Sequence, residues 1–165
     1  KVGTLNLKPE ARNIVSLRVP TDPSANGGKG IYNDKTAVLW VDKAGKKHVQ
    51  EFVSNLDPSA QYAGEGFRSD SGRIKSGNYK FEVSKRDNGA DCLRPVSTVG
   101  VDRFQGGQFK STSERNDHML FHQGADGNTQ SAGCQTMAPS EWQKFWSAVS
   151  GGSNAQSINY TIINT

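Results

Sequence analysis

The residues best suited to chemistry lie between Leu120 and Met137, where His122 precedes Cys134 by twelve positions. Cysteine is scarce, because the chain contains only Cys92 and Cys134. A thiol becomes an effective nucleophile when a nearby imidazole takes its proton, since the thiolate is the attacking species. The spacing therefore predicts a cysteine nucleophile with a histidine base.

Cys134 ends a turn of small residues that begins at Ser131. Backbone N–H groups in such a turn can stabilise the oxyanion of an acyl transfer, and glycine lets the backbone approach the substrate closely. We assign that role to the N–H groups of Gly133 and Cys134. Ser131 joins Cys134 and His122 in the predicted catalytic set.

The imidazole of His122 needs a partner that orients its ring. A backbone carbonyl, the Ser131 hydroxyl and the Asp126 carboxylate are open alternatives. Three residues near the histidine are assigned substrate-binding or orienting roles, namely His118, Gly124 and Asp126.

Other interpretations of the same residues compete with a nucleophile. Cys92 and Cys134 could instead form a disulfide, and cysteine counting does not decide between the two. A metal-dependent hydrolase using His118, His122, Asp126 or Cys134 is a weaker hypothesis, since four residues of strand span about 13 Å. We therefore expect no metal and no cofactor. Two carboxylates, Glu65 and Asp70, could serve a glycosidase, but solvated surface residues are the simpler interpretation.

Composition narrows the class of protein. The 165 residues suit one domain, predicted to span 1–165, and carry a net charge of +4. Mild basicity favours an anionic partner such as a cell-wall polymer, nucleic acid or a lipid surface. Lysine and arginine are dispersed, however, so an ordinary solvated surface is the simpler interpretation, and we predict no nucleic-acid partner. No apolar run reaches the roughly 18 residues of a membrane span. The chain starts at Lys1 rather than methionine, and we expect a processed chain.

Strands are predicted to position most of the site. Residues 37–41 and 48–53 alternate about a turn and indicate a hairpin. Residues 117–122 are predicted to be a strand that carries the histidine, with His118 and His122 on one face. Residues 55–73 and 86–95 are polar and are predicted to be loops.

Residues 139–149 carry the strong helix prediction of the chain. Trp142, Phe145, Trp146 and Val149 recur at helical spacing and form one apolar stripe. Ser140 and Gln143 match a capping box. The residue patterns together predict a mainly β fold with one amphipathic helix directly after Cys134.

Two segments, 121–124 and 131–134, resemble the active-site signature of the L,D-transpeptidase catalytic-domain family, which has His-x-Gly followed by Ser-x-Gly-Cys. The likeness extends over residues 37–165, and its spacing is closer to a divergent phage- or secretion-associated branch. Ala132 and Thr136 stand where the family usually has histidine and arginine.

The resemblance implies an L,D-transpeptidase-like β-sandwich or open barrel, with a catalytic core in 37–165 after N-terminal strands and a loop in 1–36. It implies that Cys134 forms a thioester with a peptidoglycan stem peptide, with His122 as base, before transfer or hydrolysis. Such a protein works in the periplasm, in the cell wall or after secretion, and a secreted effector would have an immunity or inhibitor protein as partner. The alternative hypothesis is a non-catalytic module that binds cell wall or glycan and keeps the fold.

Overall fold

The computed structural model describes residues 3–63 and 72–165. Glu65 and Asp70 lie outside the described residues. The elements are, in chain order, β1 (Asn13–Arg18), a 3₁₀ turn (Ala25–Gly28), β2 (Asp34–Val41), β3 (Lys47–Ser54), α1 (Ala60–Ala63), β4 (Gly72–Ile74), β5 (Gly77–Lys85), β6 (Asp91–Pro95), β7 (Val99–Gln105), β8 (Gln108–Asn116), β9 (Phe121–Gln123), β10 (Gln135–Met137), α2 (Pro139–Ser150) and β11 (Ile158–Asn164).

The described part of the chain builds one large sheet and one small sheet. The large sheet has eight strands in the order β10-β9-β6-β5-β11-β1-β2-β3, and the small one has the order β4-β7-β8. Asn55 and Thr136 exchange two backbone hydrogen bonds of 2.8 and 2.9 Å, which join the two edges of the large sheet. The sheet is therefore a nearly closed barrel, and the prediction of a mainly β sandwich or open barrel is confirmed.

β1 connects the N-terminal segment to the large sheet. It pairs parallel with β11 and antiparallel with β2, in the middle of the strand order. None of the helices in the described residues has the length and apolar character that a membrane span requires.

Helix α2 packs its apolar stripe on the barrel, as its spacing predicts. The Phe145 ring contacts the Phe52 ring edge to face, with 5.5 Å between ring centroids, and stacks on the Phe121 ring, with 4.9 Å between centroids. Trp142 and Val149 are buried on the same side. The predicted capping box is wrong: Ala138 is the N-cap without a side-chain hydrogen bond, because Pro139 occupies the first turn.

Two predictions near the site, one of a loop and one of a strand, are also wrong. Residues 86–95 are not all loop, because 91–95 form β6, which pairs with β5 and β9. The strand predicted over 117–122 is limited to β9, since the Leu120 N–H turns back to the His118 carbonyl at 3.0 Å. His118 and His122 therefore do not share the face of one regular strand.

Candidate active site

His122 lies on β9, between β6 and β10. Its register partners are Cys92 on β6 and Thr136 on β10. Its neighbour Phe121 belongs to the hydrophobic core. Because side chains alternate along a strand and register partners share a face, His122, Cys92 and Thr136 project to the face opposite Phe121.

The ring of His122 is oriented by a backbone carbonyl, one of the three candidates that the sequence offers. Nδ1 lies 2.8 Å from the carbonyl oxygen of Gln123. A carbonyl only accepts hydrogen bonds, so Nδ1 carries the proton and Nε2 keeps its lone pair. Burial lowers the pKa of His122 to about 4; the Gln123 carbonyl opposes this shift and Arg86 adds to it. His122 is thus a neutral base at neutral pH.

Ser131 organises the turn that presents the cysteine. Its hydroxyl donates to the Cys134 carbonyl at 2.6 Å and accepts from the Gly133 N–H at 3.1 Å. The Ser131 carbonyl in turn accepts from the Ser59 N–H and hydroxyl, at 2.8 and 3.1 Å. Gly133 has φ 139°, and a Cβ there would lie 2.5 Å from the Gly72 carbonyl oxygen, so this position requires glycine.

The Cys134 thiol is free and half-buried. Its Sγ donates to the His118 carbonyl oxygen at 3.5 Å. Burial raises the pKa of Cys134, while the Leu120 backbone N–H and the charges of Arg86 and Arg94 act in the opposite direction. The resting side chain is therefore a protonated thiol, and attack requires a base.

Cys92 is also a free thiol, and it is fully buried. Of the two alternatives for the cysteine pair, the structure shows free thiols rather than a disulfide. Burial raises the pKa of Cys92, which makes it an inert residue of the sheet. Cys134 is the accessible one of the two.

Several observations place Cys134 and His122 on the same side of the sheet. Cys134 precedes Thr136, the register partner of His122, by two positions. The charge of Arg86 lowers the pKa of both groups. Cys92 raises the pKa of Cys134 and is also the register partner of His122. Among the described residues no hydrogen bond joins Sγ to the imidazole. Hydrogen bonds between catalytic groups often form only when substrate binds, so the pairing of Cys134 with His122 stays a prediction.

The two predicted oxyanion donors, the N–H groups of Gly133 and Cys134, differ in their hydrogen bonds. The Gly133 N–H is used by Ser131, whereas the Cys134 N–H has no acceptor in the part of the chain that the structure describes. The role of the Cys134 N–H as an oxyanion donor stays a prediction. The neighbouring Leu120 N–H acts on Sγ and is suited to stabilise negative charge there.

Tyr32 hydrogen-bonds to the loop between His122 and Cys134, a contact that the sequence patterns did not predict. The Tyr32 hydroxyl lies 2.8 Å from the Ala125 carbonyl and 3.0 Å from the Asn128 carbonyl. A Cβ on Gly124 would lie 2.3 Å from that hydroxyl, so Gly124 shapes the loop. Asp126 is exposed in the turn, and the orienting role belongs to the Gln123 carbonyl instead.

A polar cleft of about 280 Å³ is lined in part by His118 and Leu120, whose backbone groups also contact the Cys134 thiol. The exposed residue His118 is part of its lining, together with basic and polar residues from the β5–β6 hairpin. A larger cavity of about 780 Å³ lies elsewhere, and its lining contains neither cysteine nor histidine. The residues around the small cleft are Arg86, Asp87, Asn88, Arg94, His118 and Leu120.

Sequence patterns did not reveal the basic residues of this cleft. Arg94 follows Cys92 by two positions on β6 and shares its face. That alternation could have identified Arg94, had residues 91–95 been predicted as a strand. Arg86 comes directly after β5, and its place beside the cysteine depends on the long-range pairing of β6 with β9.

Within residues 3–63 and 72–165 no three histidine, cysteine or carboxylate side chains come together as a metal site would require. Comparisons with protein-family models, with curated proteins and with solved structures find no match to this chain.

Proposed function

We propose that this protein catalyses cysteine-dependent acyl transfer or hydrolysis on peptidoglycan stem peptides. The observation that carries the proposal is the free thiol of Cys134 on the same side of the sheet as His122, whose neutral ring is fixed by a carbonyl. The substrate class comes from the resemblance of 121–124 and 131–134 to the L,D-transpeptidase signature.

In the proposed acylation, Cys134 Sγ attacks a peptide carbonyl carbon while its proton passes to Nε2 of His122. The carbonyl oxygen becomes an oxyanion that accepts from the Cys134 N–H. The C–N bond then breaks, and His122 returns the proton to the leaving amine. The product is a thioester on Cys134 and a released amino acid.

An acceptor completes the reaction. Water gives a shortened peptide, and an amine gives exchange or a cross-link; in each case His122 removes the acceptor proton and the C–S bond breaks. Because peptidoglycan lies outside the cytoplasm, the proposal places the protein in the periplasm, in the cell wall or outside the cell.

Incubation with purified peptidoglycan, followed by mass analysis of the peptides, tests this function. The wild type should release or exchange peptides, and Cys134→Ala should abolish every product while the domain stays folded. Cys92→Ala is the matched control, since it removes the other thiol and should leave turnover within about twofold, because a buried inert thiol takes no part in the reaction.

The same experiment separates the proposal from its alternative. If the wild type binds peptidoglycan as tightly as Cys134→Ala and neither forms a product, the protein is a binding module. Product formation by Cys134→Ala would exclude the cysteine mechanism.

A further inference from the structure

The cleft beside Cys134 is dominated by two arginines. Arg86 and Arg94 are partly buried, and both line the cleft of about 280 Å³. His118 links this cleft to Cys134, because the residue lines the cleft and its carbonyl oxygen accepts from Cys134 Sγ. Leu120 also lines the cleft, and its backbone N–H acts on the same sulfur, so two residues connect the cleft with the thiol.

The donors of both guanidinium groups are largely unused. In the described part of the chain Arg86 has no side-chain hydrogen bond or ion pair, and Arg94 has one long hydrogen bond of 3.5 Å to the Lys85 carbonyl. Each guanidinium offers five N–H donors in a planar fork that matches a carboxylate. Two such groups in one cleft are prepared for an anionic ligand.

Nearby acidic residues do not neutralise the pair. Asp91 forms an ion pair with Lys85, and Glu82 is the register partner of Arg94 without contacting it as an ion pair. Asp87 lines the cleft but is exposed. Across the residues that the structure describes, the ion pairs leave Arg86 and Arg94 without a carboxylate.

We infer that Arg86 and Arg94 form a subsite that binds a carboxylate of the acyl donor and sets its position against Cys134. This inference rests on the proposed function, which makes the ligand a stem peptide. Two carboxylates of such a peptide have the required chemistry: the α-carboxylate of the leaving residue and a side-chain carboxylate of the residue that is acylated.

Binding to the Cys134→Ala protein tests the subsite without turnover. The probes are a stem tetrapeptide with free carboxylates, its C-terminal carboxamide and its side-chain carboxamide, measured by calorimetry. We expect one of the two amides to bind about 10- to 100-fold more weakly than the free acid, because a charge-assisted hydrogen bond is lost. The amide that loses affinity identifies the carboxylate that the subsite holds.

Arg86→Gln and Arg94→Gln, each combined with Cys134→Ala, complete the test. Each should reduce the preference for the free acid at least fivefold, whereas Lys85→Gln, with the same charge change on the adjacent residue, should keep it within twofold. A misfolded variant would lose both ligands together, so the ratio reports the subsite. Equal binding of acid and both amides to the parent, or an unchanged preference in both arginine variants, would overturn the inference.

Failure of the proposed function has a different signature. If the protein forms no product but prefers the free acid through its arginines, the subsite is supported and the proposed enzyme activity is refuted. If the protein forms product through a thioester but shows no preference for the free acid, the enzyme activity is supported and the subsite is refuted.

Discussion

Replacing His122 with a side chain that does not titrate should remove a defined part of the pH dependence of stability. The pKa of His122 is about 4 in the folded protein, against an ordinary value of 6.5. Between pH 6.5 and pH 4 the imidazole of His122 is protonated in the unfolded chain and neutral in the folded chain. The stability from neutral His122 is therefore complete above pH 6.5 and is lost as the pH falls toward 4.

The size of this loss follows from the separation of the two pKa values. It amounts to about 2 kcal/mol at pH 5 and about 3 kcal/mol at pH 4, with the usual conversion of about 1.4 kcal/mol per pH unit. His122 is only 4% exposed, so solvent screening reduces the figure little. Asp34 works in the opposite direction, because burial raises its pKa to about 7 and its stabilisation is lost as the pH rises.

Urea unfolding of wild type and His122→Gln at pH 7, 6, 5 and 4 measures the effect. The difference between the two proteins cancels Asp34 and every other shared group. We expect the stability advantage of the wild type over the variant to shrink by about 2 kcal/mol between pH 7 and pH 5. His118→Gln, at an exposed histidine, is the matched control for the change from histidine to glutamine. An equal pH slope in wild type and His122→Gln would refute the buried, neutral imidazole.

Three further substitutions test the framework of the site. Ser131→Ala removes the hydrogen bonds to Cys134 and Gly133, and should cost about 1–3 kcal/mol in urea unfolding; unchanged stability would contradict it. Gly124→Ala should lower the melting temperature, because its Cβ would lie 2.3 Å from the Tyr32 hydroxyl. Adding Tyr32→Phe to this variant should restore part of the loss. A Gly124→Ala protein as stable as wild type would refute the contact. Gln135→Met should add about 1 kcal/mol, since neither buried amide atom has a partner in the described residues; lower stability would show that the amide is satisfied.

Local patterns predicted the parts of the fold that depend on neighbouring residues. The hairpin of β2 and β3 alternates within one short stretch, and the stripe of Trp142, Phe145 and Val149 lies within a single helix. Both were found where the sequence indicates them. The helix begins at Pro139 as predicted, whereas its capping box was misjudged because Ala138 is the N-cap and Pro139, with its fixed φ, takes the first helical position.

Long-range pairing explains what the sequence could not show. β6 contains Asp91 and Pro95, which disfavour a strand locally, and it becomes one because β5 and β9 pair with it on both sides. That pairing sets Cys92 opposite His122 and Arg94 beside the cleft. The cysteine and the histidine were identified from their types and spacing, whereas their surroundings depend on contacts between distant segments.

The fate of Cys134 during turnover tests the central proposal most directly. The protein is mixed with a stem tetrapeptide, quenched in acid within seconds and measured by intact-protein and peptide mass spectrometry. The proposal predicts a protein heavier by the acyl peptide, with the adduct on Cys134, present in Cys92→Ala and absent in Cys134→Ala. Peptide product without any adduct on Cys134, or an adduct on another residue, would contradict it.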